Sequence, residues 1–184
     1  MGIFGKTLIP TEEINNYIGP PLQSSFPELL QTHDKATISR AADLFRHNML
    51  CSGYAENKLY PGMQDLLKHL ADQGNNLFIV TNRFQSVLEK IVDNFSIRNY
   101  FKEMIGSNGN SSKSQIISEL IRKYELPRDA IVAVGDREAD ITAAADNGIK
   151  SILVLWGFAS EDEKRSSKCT SRAGNLDELR LLLK

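Results

Sequence analysis

The chain has 184 residues, with 22 basic and 23 acidic side chains and a net charge of −1. That length suffices for one domain with a good core, with or without a small insertion, and excludes two domains of full size. The near-neutral balance argues against a broad nucleic-acid or acidic-membrane surface. The two cysteines, Cys51 and Cys169, lie far apart and form no CxxC pair, so neither a disulfide framework nor a zinc site is supported. No apolar run approaches the roughly 18–20 residues that span a bilayer. The start "MGIFGKTLIPTEE" lacks a signal-peptide pattern, so the expectation is a cytoplasmic protein with no nucleic-acid or membrane partner.

Up to Glu56 the pattern is helical and amphipathic. "TEEINNYIG", "LQSSFPELLQ" and "KATISRAADLFRHNML" show no strand-like alternation and are broken at "GPP" and "THD". From Asn57 the texture changes. The helix "GMQDLLKHLADQ" leads into the apolar strand "NLFIVTN", and the helix "FQSVLEKIVDNF" follows. The order repeats with the strand "EMIGS", the helix "SKSQIISELIRKY", the strand "AIVAVGD", the helix "READITAAADNG" and the strand "SILVLWG"; "NLDELRLLL" makes a last helix. Apolar strands separated by helices of this length predict an α/β, Rossmann-like parallel sheet covered on both faces. The expected division is a helical unit over 1–56 and an α/β core over 57–184. Ligands of such sheets sit beyond the carboxyl ends of the strands, so "TN" at 81–82 and "GD" at 135–136 are expected to face one crevice.

Asp136 and Asp140 stand one helical turn apart on the same side, and two carboxylates so close repel unless a cation lies between them. Oxygen-ligated Mg²⁺ suits the pair; helix capping is the blander account. The hydroxyl of Thr81 and the amide of Asn82 suit a phosphoryl oxygen, or equally a plain helix cap. Lys113 opens a helix, where a cation is disfavoured, so something negative should compensate it unless it is simply solvated. His33, His47 and His69 have no metal-like spacing.

Taken together, "FIVTN", "SSKS" and "VAVGDREAD", each at a strand end or helix start, resemble motifs II, III and IV of the haloacid dehalogenase-like (HAD) superfamily. "LYPGMQDLLKHLADQG", "GIKSILVLWGF" and the loop "YIGPPLQSSF" resemble its phosphoglycolate-phosphatase-like branch. The resemblance implies a HAD-like core with a small, incomplete helical cap. It also implies a Mg²⁺-dependent phosphomonoester phosphatase acting on a small phosphorylated metabolite through an aspartyl-phosphate. By position, Asp136 and Asp140 are then the metal residues, Thr81 and Lys113 the catalytic phosphate binders with Asn82 beside them, and Arg46 of the cap a substrate contact.

The family's first motif, a strand followed by Asp-x-Asp-Gly-Thr, supplies the nucleophile, yet no aspartate precedes Asp34 here. Two placements of the N-terminal stretch compete. In one, "IFGKTLI" is a degenerate first motif with Ile3 and Gly5 where the acids would stand. In the other, favoured because the family needs more residues before "YIGPPL", the stretch belongs to the cap. Both remove the nucleophile, so the expectation is an inactive or incomplete phosphatase homologue. The alternative is a pseudoenzyme that binds phosphate or a phospho-metabolite without turnover.

Overall fold

A computed structural model describes residues 11–107, 111–166 and 168–184. Both placements of Met1–Ile9 lie outside the described residues. The first part is helical throughout: α1 (Thr11–Ile14), α2 (Leu22–Leu30) and α3 (Lys35–Cys51). Asp34 caps α3, its Oδ2 accepting the Thr37 N–H at 2.9 Å, which satisfies one of the orphan amides of the first turn.

Alternation of helix and strand then begins, in the expected order. α4 (Met63–Asp72) precedes β1 (Leu77–Phe84), and α5 (Gln85–Asn94) precedes β2 (Phe101–Ser107). α6 (Lys113–Lys123) precedes β3 (Val132–Gly135), and α7 (Glu138–Asp146) precedes β4 (Lys150–Val154). Two elements go beyond the sequence reading, α8 (Glu161–Ser166) and β5 (Ser171–Ala173), before α9 (Leu176–Leu182) closes the chain. α8 reads "EDEKRS" and has no apolar stripe, and β5 is too short for a period to register.

All strand pairs are parallel, but the ladders fall into two groups, β1-β2 and β3-β4-β5. β1 and β3 each have only one ladder neighbour among the described residues. They nonetheless point the same way. Leu77 of β1 and Val132 of β3 pack on the same core cluster of Leu66, Leu70, Ile152 and Leu179, while the carboxyl ends of both strands line one cavity.

Helices cover both faces, as apolar parallel strands require. On one face α4 and α9 supply Leu66, Leu70 and Leu179, and α5 supplies Leu88 and Val92 against Ile79 and Met104. On the other face Ile121 of α6 and Ala144 of α7 pack with Ala133 and Ile149, and Phe78 meets Tyr124 with ring centroids 5.3 Å apart. No helix among the described residues is long and apolar enough to cross a membrane.

Candidate functional site

The carboxyl ends of β1 and β3 open into a cavity of about 620 Å³. Thr81, Asn82, Lys113, Asp136 and Asp140 all line it, so five of the six residues singled out from sequence come together. Arg46 does not line it. Its guanidinium pairs with Asp43 at 2.9 Å and stands 5.4 Å from the Phe84 ring centroid, behind the cavity wall that Phe45 and Phe84 form.

Lys113 is the first residue of α6, after a Ser112–Gln115 capping box that answers the free amides of that end. The negative group expected to compensate its charge is Asp140, whose Oδ1 accepts from Lys113 Nζ at 2.5 Å. The two side chains are 17% and 16% exposed, so the pair is shielded from much of the solvent screening that weakens surface ion pairs. The other oxygen, Asp140 Oδ2, accepts the Arg137 N–H at 3.1 Å and closes the first turn of α7. Helix capping therefore falls to Asp140. Asp136 turns elsewhere, with Oδ2 accepting the Phe158 N–H at 2.7 Å.

Both carboxylates rest against glycine. A Cβ on Gly135 would collide with the Asp140 side chain, and one on Gly157 with that of Asp136. These close approaches hold the two acids at the rim, and Gly157 escaped the sequence reading because its contact is tertiary.

Thr81–Arg83 lie where the ladder with β2 loses register, between Val80 and Phe84. α5 starts only at Gln85, with Phe84 as its N-cap, so Asn82 is no helix cap. Thr81 Oγ1 accepts the Arg83 N–H at 3.3 Å, and Asn82 Nδ2 donates to Gly19 O at 2.9 Å. The Asn82 amide thus holds the loop above the cavity. Arg83, also lining the cavity, keeps exposed surface although protein surrounds it, and burial pulls its guanidinium below its ordinary pKa.

The upper wall is aromatic, with Tyr17, Phe26, Phe45, Tyr60, Trp156 and Phe158. Tyr60 and Trp156 meet edge to face at 6.3 Å, as do Phe26 and Phe45 at 6.2 Å. Burial, with a smaller contribution from the Asp136 charge, raises the Tyr60 phenol above its usual pKa. These aromatics are scattered through the sequence at no period that would join them.

Magnesium uses one or two carboxylates plus waters and substrate phosphates in near-octahedral order. Here Asp140 gives both oxygens to protein donors, leaving Asp136 as the other acid at the rim, and no group of three His, Cys, Asp or Glu forms among the described residues. By themselves the described residues do not make a magnesium site. Asp34, the earliest aspartate, is spent on capping α3 and does not line the cavity.

The fold has counterparts of known kind. A family model described as haloacid dehalogenase-like hydrolase matches residues 3–154. A 5'-nucleotidase of Pseudomonas aeruginosa is 30% identical over 175 residues, which cover 92% of this chain and 78% of that protein. A phosphoglycolate phosphatase of Aquifex aeolicus is 26% identical over 172 residues, covering 91% and 79% respectively. The crystal structure of a predicted phosphatase from Clostridium acetobutylicum superposes with a TM-score of 0.89 at 30% identity, over 98% of this chain and 84% of that one. With parallel strands, a strand-end crevice and a family match over most of its length, the chain belongs to the haloacid dehalogenase-like hydrolase family.

Proposed function

We propose that this chain is a phosphatase homologue that receives the phosphoryl group of a small phosphomonoester at the carboxyl ends of β1 and β3, and that the 184-residue chain turns it over little or not at all. The observation that carries the recognition is the meeting of Thr81, Lys113 and Asp136, from three separate elements, on one cavity. A hydroxyl and an ammonium there supply donors for phosphoryl oxygens, with Asn82 beside them. The ion pair with Asp140 keeps the Lys113 ammonium oriented before a ligand arrives, and an incoming phosphate would compete with Asp140 for it. Arg46 stands one layer back and would act through Phe84 rather than on the ligand.

The proposal of weak or absent turnover rests on the acids. Covalent phosphoryl transfer in this family needs an aspartate nucleophile, no aspartate precedes Asp34, and Asp34 caps α3. Losing a member of a catalytic unit typically costs roughly 10⁴–10⁶ in rate. Family membership implies Mg²⁺ as the cofactor, and with so few free carboxylates we expect this chain to bind it weakly. The aromatic upper wall and a volume of about 620 Å³ favour a non-phosphate moiety larger and flatter than glycolate. A cytoplasmic location and a helical cap over residues 1–56 complete the reading.

Titration with inorganic phosphate, 2-phosphoglycolate and a nucleoside monophosphate, followed by amide chemical shifts at Thr81, Lys113 and Asp136, tests recognition. Binding that Lys113→Met and Thr81→Ala both weaken is expected, and shifts confined to other surfaces would refute it. Robust Mg²⁺-dependent hydrolysis of a generic phosphomonoester by the 184-residue chain, lost in Asp136→Asn, would overturn the proposal on turnover.

A further inference from the structure

Two consecutive carbonyls of the helical part are held one from each ladder. Ile18 O accepts from Arg137 Nη1 at 2.5 Å, and Gly19 O accepts from Asn82 Nδ2 at 2.9 Å. Arg137 follows the end of β3, and Asn82 belongs to the last part of β1. No backbone ladder joins β1 to β3 among the described residues, and at this end the Ile18–Gly19 turn touches both.

Arg137 is prepared for this contact. Its Nε donates to Glu163 Oε1 of α8 at 3.0 Å, and Glu163 is itself fixed by the N–H groups of Glu138 at 3.2 Å and Ser160 at 2.9 Å. The Arg137 and Glu163 side chains are 15% and 18% exposed, and a planar guanidinium held on one edge presents its other edge at a fixed angle. The turn is equally prepared. Gly19 has φ +110°, a region side chains rarely adopt, and a Cβ there would stand 3.1 Å from Arg137 Cγ.

The helical part has a second attachment at its far end, where Lys90 Nζ of α5 donates to Leu50 O of α3 at 3.1 Å. Between that attachment and the turn stand α2 and α3, which carry Phe26 and Phe45 of the cavity wall. We infer that Arg137 and Asn82 are positioning residues that together latch the Ile18–Gly19 turn onto the ends of β1 and β3, and that their release frees the α1–α2 wall of the cavity for ligand exchange. The second half of that inference rests on the crevice being the ligand site as proposed above. The first half does not.

Hydrogen–deuterium exchange separates the two halves. In the Asn82→Ala/Arg137→Ala double variant, amides of residues 18–26 are expected to exchange roughly ten- to hundredfold faster, while those of β4 and α9 stay unchanged. Arg137→Lys should not rescue, because one ammonium does not present the two-edged geometry that reaches Glu163 and Ile18 together. Gly19→Ala, which leaves both latch residues in the sequence but strains the turn and crowds Arg137, should open the same amides, and it serves if the double variant fails to fold. Unchanged exchange at 18–26 in a folded variant overturns the latch. Inorganic phosphate should both associate and dissociate faster in Gly19→Ala, and unchanged rates beside an opened turn overturn the coupling to ligand exchange. Absence of phosphate binding in the unaltered chain counts against the proposed function and the coupling, and leaves the latch to the exchange data.

Discussion

β4 and β1 are built from similar residues, "SILV" and "LFIV" at their cores, yet they end in different environments. β4 is paired on both edges, and Ser151–Val154 are buried without exception. Among the described residues β1 is paired on one edge, and none of its eight residues is fully buried. β3 repeats the lesson within a single strand: among the described residues it pairs with β4 alone, and Val134 is 44% exposed. Hydrophobicity therefore did not decide burial here. Among the described residues the number of ladder neighbours did, and the crevice sits at the carboxyl ends of β1 and β3.

The sharpest way to break that comparison is to truncate one residue in each region. Leu153→Ala, at 0% exposure in the doubly paired strand, should cost about 2–5 kcal/mol through lost transfer energy and a residual cavity. Val134→Ala on the open edge should cost about 1 kcal/mol or less. Urea midpoints measured side by side would read the difference, and equal losses would mean that the β3 edge is covered in solution.

Lys113→Met should come second in size. It leaves Asp140 with one protein donor in a shielded position and should cost about 1–3 kcal/mol, visible as a lower urea midpoint. Ser112→Ala, one residue away, removes the capping box of α6 without touching that ion pair and should cost about 1 kcal/mol. A larger loss for Ser112 than for Lys113 would assign the stability of this corner to the helix end rather than to the charges.

The smallest effect concerns pH. Burial acts to raise the Glu163 carboxyl, but the N–H groups of Ser160 and Glu138 and the Arg137 guanidinium outweigh it, and its pKa lies below the ordinary 4.5. A group with a lowered folded pKa stabilises the fold above its unfolded value, and that stabilisation fades as pH falls through the folded one. Protection at residues 18–26, taken relative to the intrinsic exchange rate at each pH, should accordingly fall on acidification below about 4.5, and Glu163→Gln should flatten that dependence.

The order of helices and strands was legible from residue 11 onward because period and breakers mark each element, as in "NLFIVTN" before "FQSVLEKIVDNF". The crevice was legible too, since strand ends in a parallel sheet share one side. The division of the described strands into two ladders was not, because residue patterns give a strand's faces and say nothing of its edges. β5 and α8 carry no periodic signal. Asn82 reads as a phosphate contact by position, but its amide is turned onto Gly19, 63 residues away. Arg137 reaches Ile18 across 119 residues, a pairing that no local spacing announces.

Gly135 and Gly157 make the crevice vulnerable in a way its charges conceal. Each offers a hydrogen atom where an aspartate side chain lies against it, so a single added methyl displaces a carboxylate without altering any ionisable group. Among naturally arising variants, Gly135→Ala and Gly157→Ala are conservative by any count of charge or polarity. They should nonetheless impair ligand binding as severely as Asp140→Asn and Asp136→Asn, and a mutational scan scored on binding would place the two glycines in the same intolerant class as the acids they face.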